Sequence, residues 1–323
     1  MQNAIRFHKT GGPEVLRWEE VAVGEPGPGE VRLRHVAVGL NFADTYFRTG
    51  LYPAPLPSGL GMEGSGIVEA VGRGVTHVEP GDRVAYTGSP LGAYSTGRVM
   101  PAAPLVKLPE DISFETAAAM MMRGFTSAYL MRRIYPWKKG DTFLIHAAAG
   151  GVGLIVCQWA KLIGLNVIGT VSTDEKAEVA RANGCAHTIV TSREDIAKRV
   201  REITDGKGVP VVYDSVGADT LMASLDSLQP RGTLVSNGTT SGPVNIDTTL
   251  LAVKGSIWLT RPAMVHYATP RPHMLGMADE LFGLVLAGKI RSMPSRTFAL
   301  SDAAEAHRAL ESRRTTGATV LIP

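Results

Sequence analysis

The run His146-Ala147-Ala148-Ala149-Gly150-Gly151-Val152-Gly153 is the stretch of the chain best suited to hold an anion. It follows the apolar Phe143-Leu144-Ile145 and leads into Leu154-Ile155-Val156-Cys157-Gln158-Trp159-Ala160, so a strand should turn sharply into a helix. Against the dinucleotide fingerprint, Ala148 takes the first glycine position, Gly150 the second and Gly153 the third. The bare Gly150 lets a pyrophosphate approach the backbone, and Gly153 lets helix and strand pack closely. Unpaired N–H groups and the dipole at the helix start then make a cradle of Ala149, Gly150, Gly151, Val152 and Gly153. A tight turn that merely needs small residues would look similar. The position between strand and helix, with further strand–helix units behind it, favours the ligand site.

About twenty residues on, at the end of the second strand, such sites choose their coenzyme. An NAD site wants a carboxylate there. This chain reads Gly169-Thr170-Val171-Ser172-Thr173-Asp174-Glu175-Lys176, with hydroxyls at the strand end and Lys176 one helical turn from Ser172. A carboxylate ~4 Å from a 2′-phosphate would cost about 4 kcal/mol at an effective dielectric near ~20, enough to decide the matter. The pattern therefore favours NADPH, with Ser172 and Lys176 at its phosphate. Ser172 or Thr173 could equally cap the next helix, with Asp174 and Glu175 complementing its dipole. The two uses are compatible.

Metal chemistry finds little support. Two cysteines, Cys157 and Cys185, exclude a disulfide scaffold and a four-thiolate zinc site. The eight histidines are scattered singly, with no pair at helical spacing.

The elements that must position these residues fall into two textures. At 323 residues the chain is long enough for two domains. Hydrophobic residues at 44% supply cores, and a formal charge of +3 is too small to announce a nucleic-acid binder. No run is apolar enough for a signal peptide or membrane span, so a reducing, cytoplasmic setting is expected. The first hundred or so residues read as short strands and turns (Val31 to Val38, Gly66 to Val71, Asp82 to Ala85), a compact β-rich domain.

Helix Thr116 to Arg133 follows, and then strands alternate with helices. The strands are Thr142 to Ala147, Asn166 to Thr170, His187 to Val190, Val209 to Asp214, Gly232 to Ser236 and Ser256 to Thr260. Helices are expected at Val152 to Ile163, Asp174 to Asn183, Glu194 to Thr204 and Ala218 to Leu228. That rhythm means a parallel sheet covered on both faces, an α/β fold. The tail beyond residue 262 holds one amphipathic helix around Met277 to Ala287 and a last strand, Thr319 to Ile322. It is too short to stand alone.

Several motifs spread along the chain carry a resemblance. They are Gly39-Leu40-Asn41-Phe42-Ala43-Asp44-Thr45-Tyr46, the RTGLYP stretch from Arg48 to Pro53, and Pro57 to Gly66 (PSGLGMEGSG). To these add the glycine turn, Val212-Tyr213-Asp214-Ser215-Val216-Gly217 and Glu311-Ser312-Arg313. Together they resemble the zinc-free quinone oxidoreductase branch of the medium-chain dehydrogenase/reductases, the zeta-crystallin-like family. The resemblance implies a GroES-like catalytic domain from residues 1–122 and 262–323. A Rossmann NADPH-binding domain, residues 123–261, is inserted in it, with the active site in the cleft.

Zinc enzymes of the superfamily place a ligand Cys where this chain has Asn41. They place a ligand or neighbouring His at Tyr46, and Gly-His-Glu at Gly61-Met62-Glu63. Those replacements imply no metal. A quinone needs positioning over the nicotinamide more than it needs a Lewis acid. The resemblance implies that Asn41, Tyr46 and Tyr52 orient the acceptor, with the tyrosines relaying protons, and it puts Arg261 at the same cleft. Thr126 and Tyr129 would flank the nicotinamide, with Asn41 from the other domain. Ser215 and Val216 would sit beneath the ribose, Asn237 and Gly238 in the next loop, and Arg313 near the adenosine phosphate. The family often carries a tyrosine after the third Rossmann strand. Here Thr191 and Arg193 stand in that region.

Two other functions compete: reduction of activated alkenes such as enals and enones, and a non-catalytic nucleotide- or RNA-binding role. Only a short basic cluster, Arg132 to Lys139, supports the latter. The apolar run Gly255 to Thr260 reads as an edge strand that a homodimer would cover.

Overall fold

The computed structural model describes residues 2–88, 90–312 and 316–323. The chain divides into two compact units, residues 1–125 with 268–323, and residues 126–267.

The first unit is built on the strand Glu30–Leu40. Val31 and Leu33 share a core with Val38 and Leu40, although strict alternation would put the two pairs on opposite faces, because a register shift between His35 and Ala37 switches the buried parity. The strand pairs antiparallel with Glu63–Val71, Gly97–Pro101 and the C-terminal strand Ala318–Ile322. The sheet order runs Pro294–Ala299, Ala318–Ile322, Glu30–Leu40, Glu63–Val71, Arg83–Thr87, Val106–Lys107. The tail therefore completes the sheet of the N-terminal segment, which is why it needs no core of its own. A smaller sheet joins Arg17–Val21, Gln2–Phe7 and Ser58–Gly59.

Two features go beyond the strand-and-turn reading. The helix Phe42–Thr49 starts where the Asp44 carboxylate takes the Asn41 N–H, 2.8 Å, and stops at Gly50 in the left-handed region, φ 86°. The tail carries more than one helix: Met264–Ala268 falls at the boundary, its first four residues in the second unit, while Arg271–Leu286 and Ala303–Glu311 belong to the first. Arg271–Leu286 buries Met274, Met277, Ala278, Leu281 and Phe282, the i, i+3, i+4, i+7, i+8 stripe of a core-facing helix.

In the second unit, six parallel strands stand in the order His187–Val190, Asn166–Val171, Thr142–Ile145, Val209–Asp214, Leu228–Ser236, Trp258–Thr260. That is the doubly wound Rossmann order. Its core gathers Leu144, Ile168, Ile189, Val212 and Leu234 from the strands with Val200 and Leu225 from the helices.

Local chemistry moves some boundaries. The third helix of this unit opens at Ile196 rather than Glu194, because the Asp195 carboxylate caps Lys198 N, 2.8 Å. The fourth begins at Leu221 rather than Ala218: Asp214 captures the N–H groups of Val216 and Gly217, each at 2.9 Å, and holds a turn there. The last strand begins at Trp258 because Gly255 and Ser256 both have positive φ, 111° and 58°.

Candidate active site

In the second unit, the glycine turn makes the sharp bend expected of it. Ala147, not Ala148, takes the left-handed conformation, φ 54°. Ala148 is fully buried, and its Cβ would lie 2.5 Å from a Cβ on Gly169 of the second strand. A Cβ on Gly153 would lie 2.5 Å from the Ala147 carbonyl oxygen, so only glycine lets the helix come this close. Gly150 caps the helix Gly151–Leu162, and the first helical bond runs from Leu154 N to Gly150 O, 2.9 Å. The amides of Gly151, Val152 and Gly153 thus open at the helix start, where an anion is favoured.

At the end of the second strand Thr173, rather than Ser172, is the cap: its Oγ1 accepts from Lys176 N, 3.3 Å. Ser172 is left to meet Lys176, whose Nζ donates to its Oγ at 3.2 Å. Arg193 grips Asp174 with two bonds of 2.7 and 2.6 Å, which pulls that carboxyl below its ordinary range and offsets the charge beside Ser172. Thr191 hangs its N–H and hydroxyl on the Val171 carbonyl, 2.9 and 3.2 Å, beside Ser172.

The turns after the fourth and fifth strands are organised by Asp214. Besides Val216 and Gly217 its carboxylate accepts from Thr220 Oγ1, 2.8 Å, and Ser224 Oγ, 2.6 Å. Ser224 also meets His146 Nε2 at 2.9 Å, and His146 Nδ1 meets Thr170 Oγ1 at 3.0 Å. Burial lowers the His146 pKa. A Cβ on Gly238 would strike the Ser215 carbonyl oxygen at 2.5 Å, so Ser215-Val216 and Asn237-Gly238 lie against each other. Asn237 donates its N–H to the Asp214 carbonyl, 2.8 Å, while its buried Oδ1 has no partner among the described residues. Arg261 reaches the same loop, to Ser236 Oγ at 3.0 Å and the Gly238 carbonyl at 3.2 Å, and so holds its shape. Thr126 hydrogen-bonds Tyr129, whose ring stacks on Tyr267 at 4.6 Å and 17°; burial pushes the Tyr129 hydroxyl up to about 12.

In the first unit, Asn41, Tyr46 and Tyr52 come together around the Phe42–Thr49 helix. Tyr46 and Tyr52 meet edge to face at 5.2 Å, flanked by Phe42 and Phe47, and Tyr52 N donates to the Tyr46 carbonyl at 2.9 Å. Asn41 is buried and gives its amide to Glu63 Oε2 at 2.6 Å; the other Glu63 oxygen takes Met122 N at 2.7 Å. Burial raises the Glu63 pKa, against the opposing pull of the Arg123 charge. The Arg123 guanidinium donates to the Ala119 and Leu40 carbonyls.

Sequence pattern alone does not mark Asp44, Glu63, Asp214 or Tyr267 as site residues. The Asn41-x-x-Asp44 spacing is the capping-box signal that points to the first. Tyr267 carries no signal. Arg313 lies outside the described residues.

A β-rich unit completed by its own C-terminal strands, together with a doubly wound parallel sheet that bears a glycine cradle, defines a medium-chain dehydrogenase/reductase. Residues 27–110 match the alcohol dehydrogenase GroES-like domain, and residues 151–271 the zinc-binding dehydrogenase family. Over its full length and that of the relative, the chain is 55% identical to a quinone oxidoreductase of Pseudomonas aeruginosa. It is 48% identical to a 2-haloacrylate reductase of a Burkholderia species, covering 100% of this chain and 99% of that one. The crystal structure of the Escherichia coli quinone oxidoreductase complexed with NADPH superposes with a TM-score of 0.98 at 49% identity, covering 99% of this chain and 100% of the other. The chain belongs to the quinone oxidoreductase family.

The residues present fit NADPH: a glycine cradle that a Cβ would fill, a lysine–serine pair at the second strand, and an orphaned Asn237 Oδ1. They do not fit zinc. Asn41 and Glu63 satisfy each other, and among the described residues no three His, Cys, Asp or Glu side chains converge to hold a metal ion.

Proposed function

We propose that the protein is an NADPH-dependent quinone oxidoreductase, with 1–122 and 262–323 handling the acceptor and 123–261 the coenzyme. The reduced nicotinamide supplies a hydride from C4 to the conjugated acceptor. Lys176, Ser172 and Thr191 take the 2′-phosphate; Ala149 to Gly153 take the pyrophosphate; Ser215, Val216, Asn237 and Gly238 line the ribose side. Thr126 and Tyr129 flank the nicotinamide. Asn41, Tyr46 and Tyr52 orient the acceptor, and the tyrosine hydroxyls move its protons. Arg261 acts by holding the Ser236–Gly238 loop.

The observation that carries the acceptor class is the buried Asn41–Glu63 bond. It offers an amide and no electrophile, which suits an acceptor already activated by two conjugated carbonyls. The 2-haloacrylate reductase relative favours a second reading, reduction of an activated alkene, by the same hydride geometry. Steady-state turnover with 1,4-benzoquinone, 9,10-phenanthrenequinone and a short 2-alkenal separates the two. Faster turnover of the alkenal would reject the first.

No helix among the described residues is long and apolar enough to cross a membrane. Cys157 and Cys185 are buried thiols, which supports a reducing, cytoplasmic setting. Trp258 and Leu259, on the edge strand of the six-stranded sheet, are 70% and 37% exposed, and this supports a homodimer that covers them.

A further inference from the structure

A continuous file of polar groups in the first unit, buried from Arg48 inward and starting at the half-buried Glu311, ends at the segment that carries Asn41 and Tyr46. Glu311 takes Arg48 through two bonds of 2.6 and 3.0 Å. The Arg48 guanidinium, itself buried, also donates to His307 Nδ1 at 2.9 Å. A guanidinium has no acceptor, so Nδ1 accepts and the proton of this neutral imidazole sits on Nε2. Nε2 faces Tyr94 Oη at 3.3 Å, and Tyr94 donates to Asp44 Oδ2 at 2.9 Å. The same Oδ2 accepts the Asn41 N–H at 2.8 Å. Asp44, Tyr94 and His307 are all fully buried, and Asp44 Oδ1 has no hydrogen-bond partner among the described residues.

We propose that Asp44 is a positioning residue for the quinone, holding the Asn41–Tyr46 segment through a buried hydrogen-bond chain anchored at Glu311. The inference rests on the quinone-reductase reading above. An ionised Asp44 makes two charge-assisted bonds at Oδ2. A protonated one carries its hydrogen on the partnerless Oδ1 and holds the Asn41 amide more weakly.

The groups facing Asp44 are Tyr94 from its loop, Glu63 from the Glu63–Val71 strand and Arg123 from the Phe114–Arg132 helix. His307 and Arg48 lie behind Tyr94. Burial raises the Asp44 carboxyl to about 7, with Glu63 adding to the rise, while the Asn41 and Tyr94 bonds and Arg123 oppose it. The switch between firm and loose holding thus falls in the working pH range. His307 is held down to about 3 by burial and by Arg48, so it stays neutral throughout.

The test is the pH dependence of KM for 9,10-phenanthrenequinone, which does not ionise, at saturating NADPH between pH 5.5 and 8.5. In the unmodified protein KM should fall about tenfold as pH rises through the Asp44 transition, the worth of one charge-assisted bond. Asp44→Asn should give a flat profile near the low-pH value. Tyr94→Phe removes only one hydroxyl that lowers the Asp44 pKa, so it should keep the transition and move it to higher pH. That second variant decides the matter independently if Asp44→Asn does not fold. A transition that persists in Asp44→Asn, or that stays in place in Tyr94→Phe, overturns the inference and leaves the reductase standing. A flat profile in the unmodified enzyme does the same. Absence of quinone turnover at every pH overturns the reductase reading itself, and this inference with it.

Discussion

Two side-chain pairs decide most of the chemistry assigned to this chain. At the end of the second strand of the second unit, Lys176 Nζ meets Ser172 Oγ, the pair proposed to take the 2′-phosphate, and Arg193 pairs with Asp174, one of the two acids that follow. Lys176→Ala should weaken NADPH binding by about tenfold and leave NADH nearly unchanged, as read by titration calorimetry at fixed ionic strength. An equal loss for both coenzymes would move the phosphate site elsewhere. In the first unit, Glu63 accepts from the Asn41 side-chain amide proposed to face the acceptor. Glu63→Gln keeps size but can turn its own amide toward Asn41, so kcat/KM for quinone should drop by about ten- to a hundredfold with NADPH affinity unchanged. Coenzyme loss instead would show that Glu63 supports the fold rather than the site. Asn41 stands out in the sequence because its type departs from the metal ligand that the resemblance puts there. The carboxylates behind it are not, since their roles depend on strands and helices distant in the chain.

The glycine-turn helix shows what sequence pattern conveys about an element and where it stops. Strand, sharp turn and helix are legible in the apolar run and the glycines, and so is the alternation that places them in a parallel sheet. The residue that bears the left-handed bend is not: Ala147 takes it although its side chain disfavours that region, because buried Ala148 must face Gly169. Periodicity misplaces helix starts wherever a cap or a turn-holding carboxylate intervenes, as at Asp195 and Asp214. The Phe42–Thr49 helix is hidden because its buried partners come from the other end of the chain, His307 and Glu311. Gly153→Ala is the matching test. Its new methyl would meet the Ala147 oxygen at 2.5 Å, so we expect a loss of about 1–3 kcal/mol in stability and weaker NADPH binding. Unchanged melting would contradict the close packing.

Across the whole molecule, buried titratable groups give opposing pH dependences. His35 and His307 are both lowered to about 3, chiefly by burial. Their contribution to stability is complete above the unfolded value near ~6.5 and is lost as pH falls toward the folded one. Asp44 runs the other way: its raised pKa contributes stability below 3.8, and that is lost as pH rises to about 7. Urea unfolding from pH 4 to 8 should therefore show His307→Gln flattening the acid side. Asp44→Asn should gain stability at pH 8, by at most about 4 kcal/mol for a carboxyl raised from 3.8 to about 7. A loss there would mean that the carboxylate is stabilised by its neighbours rather than burdened by burial. The exposed Trp258 edge belongs to the same scale. A light-scattering mass near 34 kDa would refute the homodimer, and twice that is expected.

The most direct trial is a single-turnover experiment. Chelator-dialysed protein is loaded with one equivalent of NADPH and mixed with 9,10-phenanthrenequinone while nicotinamide absorbance is followed. Rapid loss of that absorbance, slowed by deuterium at C4 and matched by one hydroquinone per NADPH, is the predicted result. NADPH that stays reduced until zinc is added back, or that never binds, would contradict it.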